Sequence, residues 1–385
     1  MPKRIVLLGT VVSSILGFRA DLIRLLVSDQ HEVYVFGVDF SESSRQSVRK
    51  LGAIPVDYSL SRAGINPFAD ISATLQLRQL LAKIQPDVVF SYFVKPVIYG
   101  SIAARLANVP SRMAMLEGLG YVFTDLPSGL GFKQKLLRSI QVMLYRLALP
   151  FIDHLIFLNP DDPVDLLQRH GLKAKRVSIL GGIGLNFKDF PYSSVQVEPL
   201  RFLFIGRLLA EKGINEYVEA ARIVKAQYPS VEFVVLGGLD EKNPGGLKQK
   251  QLQKLLDDGV IVYPGHVSNV AEWIAGCSVF VLPSYREGFP RSTQEAMAIG
   301  RAVLTSDVPG CRETVVDGVN GFLVPRWNAQ ALAEKMFHLI DNPQEIMRMG
   351  RESHRIALEK FDAEKVNRYL IRLMSLNESD LPIIG

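Results

Sequence analysis

Residues 201–213 read Arg201-Phe-Leu-Phe-Ile-Gly206-Arg207-Leu-Leu-Ala-Glu-Lys212-Gly213 and run into a stretch of helical spacing, Ile214 to Ala226. A short apolar run closed by glycine, then a charged turn, then an amphipathic stretch, is a strand–turn–helix unit. Outward toward the C-terminus the alternation continues with strand-like runs at Val231 to Leu236, Val260 to Tyr263, Ser278 to Leu282 and Ala302 to Ser306. Toward the N-terminus an earlier series appears: Arg4 to Leu8, Glu32 to Val38, Asp87 to Tyr92 and His154 to Leu158, with helical spacing over Phe18 to Val27, Leu75 to Lys83 and Tyr99 to Leu106. Strands alternating with helices predict an α/β protein of parallel sheets covered by helices, and the restart at Arg201 predicts two of them.

Between the series lies Gly181-Gly-Ile-Gly-Leu-Asn-Phe-Lys-Asp-Phe-Pro191 and a polar stretch to Pro199, whose Gly, Pro and Ser content reads as a linker. The expected domains are therefore 1–190 and 191–361, with a last amphipathic helix from Asp362 to Leu376 striped by Val366, Tyr369, Leu370 and Leu373. A chain of 385 residues with 48% hydrophobic and 22% charged residues has ample core for both. Cys277 and Cys311 are the only cysteines, without zinc-type spacing, which leaves little basis for a disulfide framework and points to a reducing, cytoplasmic setting. The most apolar long stretch, Val142 to Leu158, is broken by Arg146, Pro150, Asp153 and His154, so no spanning helix of roughly 20 apolar residues is expected. A net charge of +5 fits an anionic partner and fits equally a mildly basic enzyme without one.

Ligands of open α/β sheets bind beyond the carboxyl ends of the strands, so chemistry is sought in the loops that follow them. Arg207 and Lys212 flank the turn after the Arg201 strand, where two cations and a helix N-terminus suit a diphosphate; surface charges are the alternative. After Ser278-Val-Phe-Val-Leu282 comes Pro283-Ser-Tyr-Arg-Glu-Gly-Phe-Pro-Arg-Ser-Thr-Gln-Glu295, which puts Glu287 in a loop and Glu295 on the next helix. Two such acceptors suit two hydroxyl-bearing rings, and Gly288 lets backbone approach a ligand. The competing reading of Glu295 is a capping box, Ser292-Thr-Gln-Glu295.

Taken together, Glu287 and Glu295 with seven residues between them, the upstream Gly-Arg-Leu and Lys-Gly, and Val308-Pro-Gly-Cys-Arg-Glu-Thr-Val-Val-Asp-Gly-Val-Asn-Gly-Phe-Leu-Val324 resemble the retaining glycosyltransferases of family 4. The resemblance implies the GT-B fold, two Rossmann-like domains with parallel sheets facing across a cleft, and a C-terminal helix, 362–385, that crosses back to the first domain. It implies that Arg207 and Lys212 hold the donor diphosphate, that Glu295 binds ribose, and that Glu287 sits beside the transferred sugar. Gly288, Phe289 and Pro290 then line the sugar subsite, and Tyr263-Pro-Gly-His-Val267 frames the base with its backbone, Val267 included; His266 reads as incidental.

In many relatives a histidine near position 117 contacts the donor sugar; this chain has Glu117 in Met115-Leu-Glu-Gly-Leu-Gly120. With Ser91-Tyr-Phe-Val-Lys-Pro-Val-Ile-Tyr-Gly100 upstream, that variant resembles the bacterial subgroup adding N-acetylhexosamine to undecaprenyl-diphosphate-linked sugars. The alternative for Glu117 is a carboxylate that caps a turn. The loop after the first strand, Thr10 to Arg19, lacks the glycine-rich dinucleotide fingerprint, which disfavours a dehydrogenase, and departs from the Gly-Gly loop of relatives. Gly17 and Arg19 remain candidate phosphate contacts, with Arg19 as a helix surface charge the alternative. The resemblance implies a UDP-sugar donor, GalNAc before GlcNAc, a lipid-linked saccharide acceptor, and neither cofactor nor metal; no two aspartates stand two positions apart, so the Asp-x-Asp metal signature of the other major transferase fold is absent. No nucleic-acid partner is expected. From Gly131 to Pro150, Lys133, Lys135, Arg138 and Arg146 interleave with apolar residues, which suits an anionic membrane surface, and a peripheral enzyme on the inner face of the cell membrane is the expectation. A same-fold epimerase and a binding-only relative are the rival functions.

Overall fold

The computed structural model describes residues 1–61, 66–241 and 245–375. The chain divides into two units: residues 1–122, 132–184 and the chain from 363 form unit 1, and residues 123–131 and 185–362 form unit 2.

Unit 1 is built on β1 (Arg4–Leu8), β2 (Glu32–Gly37), β3 (Ile54–Asp57), β4 (Val88–Tyr92), β5 (Ser111–Leu116), β6 (His154–Phe157) and β7 (Val177–Ile179). They form one parallel sheet in the order β3-β2-β1-β4-β5-β6-β7, with Leu7 in register with Val35 on one side and Phe90 on the other. The chain builds outward from β1 in one direction and from β4 in the other. The crevice beyond the ends of β1 and β4 is therefore the switch point where such sheets bind ligands.

Unit 2 repeats the plan with β8 (Arg201–Ile205), β9 (Glu232–Leu236), β10 (Val262–Gly265), β11 (Val279–Leu282), β12 (Ala302–Ser306) and β13 (Gly321–Val324), ordered β10-β9-β8-β11-β12-β13. Its switch point lies beyond β8 and β11, the strands that precede Arg207 and Glu287. The central strands are buried on both faces, hence their continuous apolar runs. Phe202 stacks on Phe233 at 5.3 Å, and the buried Tyr217 hydroxyl donates to backbone carbonyls of Phe202 and Val234.

The helices that bear on function are α1 (Val12–Ser28), α2 (Pro67–Ile84), α3 (Phe132–Ala148), α4 (Ile214–Lys225), α5 (Arg291–Ile299) and α6 (Ala363–Ser375). Helix α1 corrects the expected loop: Gly17 and Arg19 stand inside a helix. Its N-terminus has no local side-chain cap, and the Val12 amide donates instead to Asp39 Oδ1 at 2.7 Å, a partner 27 residues away. The division at residue 184 precedes the expected 190 because Leu185 is buried in the unit 2 core and its amide donates to the Phe361 carbonyl. Residues 123–131, expected with the first domain, group with unit 2, where Asp125 pairs with Arg326 at 3.2 Å. Helix α6 packs on α1 in unit 1, burying Leu370, Leu373 and Met374, and Arg368 grips Asp29 at 2.6 Å. Residues 376–385, the remainder of the expected 362–385 segment, lie outside the described residues.

Candidate active site

Beyond β8 the chain makes a tight turn at residues 210–212, and Gly213, at φ +77°, opens α4. A β-carbon on Gly213 would lie 2.1 Å from the Pro283 carbonyl oxygen, so the β8 and β11 loops meet only because that residue is glycine. The closeness puts Lys212 on Glu287. The ammonium donates to both carboxylate oxygens, at 2.6 and 2.7 Å, and Ser284 donates to the first at 2.8 Å. Behind them Gly310, at φ +80°, lies so near the carbonyls of Glu287 and Gly288 that any β-carbon would collide at 2.4 Å. Arg207 is more exposed and reaches Asp240 at 3.4 Å. Lysine and carboxylate thus meet beyond the switch point, and Arg207 stands in the same loop after β8, charges able to receive both an anion and a hydroxyl-bearing ring.

Gly288 and Pro290 are buried and Phe289 is half-buried, its ring edge-on to Phe361 at 5.5 Å. Val267 is half-buried just past the end of β10, and His266 is exposed. Helix α5 begins at Arg291, with Pro290 in the N-cap position and no side-chain cap. Ser292 is therefore inside the helix, and the capping box anticipated for Glu295 does not form. Instead Arg291 donates its Nε–H to Glu295 Oε1 at 2.9 Å, one turn away. Burial pushes the Glu295 carboxyl above the usual carboxylate range, and Arg291 opposes that rise.

In unit 1, Glu117 follows β5 and Arg19 projects from the second turn of α1. Arg19 is 2% exposed and forms an ion pair with Glu117, whose side chain is 13% exposed. The guanidinium also lies 5.0 Å from the Tyr92 ring centroid, in cation–π range at the end of β4. Neither proposed bland role fits: Arg19 is no surface charge, and Glu117 holds a buried cation rather than a turn. The Arg19 Nε and the Tyr92 hydroxyl are buried without a partner among the described residues. Gly17, by contrast, is exposed, with nothing within 4 Å of an added β-carbon. Nothing in the packing requires glycine there.

Two family models match: Glycosyl transferase 4-like over residues 4–159 and Glycosyl transferases group 1 over residues 188–356. The chain is 31% identical to the N,N'-diacetylbacillosaminyl-diphospho-undecaprenol alpha-1,3-N-acetylgalactosaminyltransferase of Campylobacter jejuni, over 95% of this chain and 97% of that one. It belongs to the family 4 glycosyltransferases. A second relative of this glycosyltransferase, at 25% identity over 68% of each chain, is the UDP-Gal:alpha-D-GlcNAc-diphosphoundecaprenol alpha-1,3-galactosyltransferase of Escherichia coli. In fold it is similar to Anabaena HepE, solved with UDP and glucose, with a TM-score of 0.76 at 17% identity over 97% of this chain and 99% of that one. A sucrose-phosphate synthase from Thermosynechococcus elongatus gives 0.76 at 19% identity over 96% and 98%. These neighbours place the glycosyltransferase in the GT-B class.

Several residues of the enzyme that matter to these sites carry no signal of their own in the sequence. Tyr92, beneath Arg19, reads as an ordinary strand residue. Arg291 gains meaning only once α5 is seen to start at it. Asp70, on α2 and 2% exposed, accepts from Lys95 Nζ at 2.8 Å and from the Tyr99 hydroxyl at 3.0 Å, joining α2 to the segment after β4. On α3, Lys133, Lys135 and Arg146 are exposed, whereas Arg138 turns inward and donates to the Val122 carbonyl at 2.7 Å. Phe132, Leu136, Met143 and Leu147 stand exposed on the same helix. Among the described residues no helix is long and apolar enough to cross a membrane.

Proposed function

We propose that this glycosyltransferase moves N-acetylgalactosamine from UDP-GalNAc to a saccharide linked to polyprenyl diphosphate, with retention of anomeric configuration and without a metal, at the inner face of a bacterial cell membrane. The observation that carries this reading is the bidentate Lys212–Glu287 pair, in a chain whose Campylobacter relative is named for that donor sugar and a diphospho-undecaprenol acceptor.

In this reading Arg207 and Lys212 offset the charge that grows on the departing diphosphate, aided by the N-terminus of α4. Two cations fixed there serve the electrostatic role that a divalent ion plays elsewhere. Glu295, held by Arg291, accepts from ribose hydroxyls, and Glu287 orients the sugar. The bond from the anomeric carbon to the β-phosphate oxygen breaks as the acceptor oxygen bonds to that carbon on the same face. The acceptor proton passes to the leaving phosphate oxygen. Glu287 and the Arg19–Glu117 pair position groups and form no covalent bond. Helix α3 supplies the membrane contact: exposed lysines for anionic headgroups and an exposed apolar stripe for the interface.

The test is transfer from radiolabelled UDP- and GDP-sugars to polyprenyl-diphosphate-linked monosaccharides in EDTA, scored by extraction into the lipid phase. Label in the lipid from UDP-GalNAc is the expected result. Donor binding without lipid product, or product only after added divalent metal, overturns the acceptor or the metal-independent part respectively.

A further inference from the structure

Unit 1 holds a cavity of about 570 Å³ beyond the ends of β1, β4 and β5, walled by Val11, Phe93, Ile98, Leu119, Ile140 and Leu144 among others. Its size falls in the ordinary range for small-molecule sites, and its walls are mostly hydrocarbon. Asp70 and Lys95 are the charged residues of the lining, and they neutralise one another at 2.8 Å, with Tyr99 satisfying the second carboxylate oxygen. A sugar ring presents hydroxyls all round and loses its water bonds on burial unless the protein replaces them. Thr10, Ser14, Tyr121 and Gln141 offer a few such bonds, but most of the wall offers none and suits a branched hydrocarbon.

Two of the helices that line this cavity also carry exposed apolar residues that the core does not use. Helix α3 lends Ile140 and Leu144 to the cavity and leaves Leu136, Met143 and Leu147 exposed, each about half accessible. Helix α2 lends Asp70 and leaves Phe68, Ile71 and Leu75 exposed at 87%, 58% and 48%. Those three follow the i, i+3, i+7 spacing of one helix face. A water-facing role explains neither stripe. On α3 the exposed Leu136 and Leu147 stand one turn from the lining residues Ile140 and Leu144.

Resting on the lipid-linked acceptor of the proposed function, we infer that this cavity is a binding site for the first isoprene units of the acceptor's polyprenyl chain. The enzyme then reads the lipid as well as the sugar. A short water-soluble prenyl diphosphate binds by its chain, and an acceptor stripped of its prenyl group is a poor one.

Binding of farnesyl diphosphate and of inorganic diphosphate to the full chain, by calorimetry, tests this without relying on transfer. The farnesyl compound should bind at least about tenfold more tightly, and Ile140→Asp, which sets a carboxylate in the hydrocarbon wall, should remove that margin. The milder Leu144→Asn should reduce it in the same direction, and the melting transition of unit 1, read by calorimetry in the same samples, reports that each variant is folded. Equal affinity for the two diphosphates, or a margin that survives both substitutions in folded protein, overturns the inference. A prenyl margin that Ile140→Asp abolishes, in an enzyme that nevertheless transfers no sugar to lipid-linked saccharide, leaves the cavity assignment standing and overturns the acceptor reading instead.

Discussion

Arg19 and Glu117 are 98 residues apart and act as one object. A cation buried to 2% exposure on a helix is tolerated because a carboxylate and an aromatic face receive it. Removal of either partner strands the other's charge, at a cost of about 3 kcal/mol or more. Arg19→Met and Glu117→Gln should each lower the unfolding midpoint, and the double variant should lose less than the sum of the two. Additive losses in that cycle would mean that the pair is not coupled. Arg291 offers a pH test at the other site. Burial raises the Glu295 carboxyl and Arg291 lowers it again, so in Arg291→Ala the carboxyl protonates at a higher pH than in the parent. If the ionised form binds ribose, donor affinity falls as pH falls through that value, and in the variant the fall begins at higher pH. Titration of UDP affinity from neutral to acid pH should show the shift; superimposable profiles would remove Arg291 from the donor site.

At the scale of elements, the strands fully buried in both sheets were legible as uninterrupted apolar runs, and the loops after β8 and β11 displayed the charged residues that the structure brings together as Lys212 and Glu287. The elements that escaped reading did so for different physical reasons; interior β5 opens with the polar Ser111-Arg112, and β13 has only four residues. Strands β3 and β7 are short and lie at the edges of their sheet, with exposed residues and no apolar run to announce them. The start of α1 is held by Asp39, two residues past the neighbouring strand β2, a cap that no local pattern can reveal. The same holds for the pairing of Lys212 with Glu287, fixed by two close-packed loops rather than by spacing. Helix α3 was legible as basic and amphipathic, but not which of its cations faces inward. Its exposed residues bear the membrane proposal, and replacing Leu136, Met143 and Leu147 by serine should reduce sedimentation with anionic vesicles by about tenfold or more, given roughly 0.8 kcal/mol per buried methylene. Turnover of detergent-dispersed acceptor, which needs no bilayer, should change little. Undiminished vesicle binding would move the membrane contact off this face.

At the scale of the whole molecule, the chain returns to the unit in which it began. Residues 185–362 fold around their own core, and then α6 docks on α1 with Val366, Leu370, Leu373 and Met374 all at most 9% exposed. Burying such side chains stabilises by about 1.5–3 kcal/mol each before discounting for a compact unfolded state, so the helix contributes on the order of 5 kcal/mol to unit 1. The surface ion pair of Arg368 with Asp29, part-exposed on both sides, adds orientation more than energy. A chain cut after Asp362 therefore loses a large part of what holds unit 1 together and nothing from the core of unit 2. Calorimetric melting of that truncated chain should show an early transition displaced downward by many degrees, and a later one that UDP still raises, because the ligand stabilises only the unit that binds it. If both transitions moved together, or if UDP no longer shifted either, the two units would not be independent folding bodies and α6 would belong energetically to both.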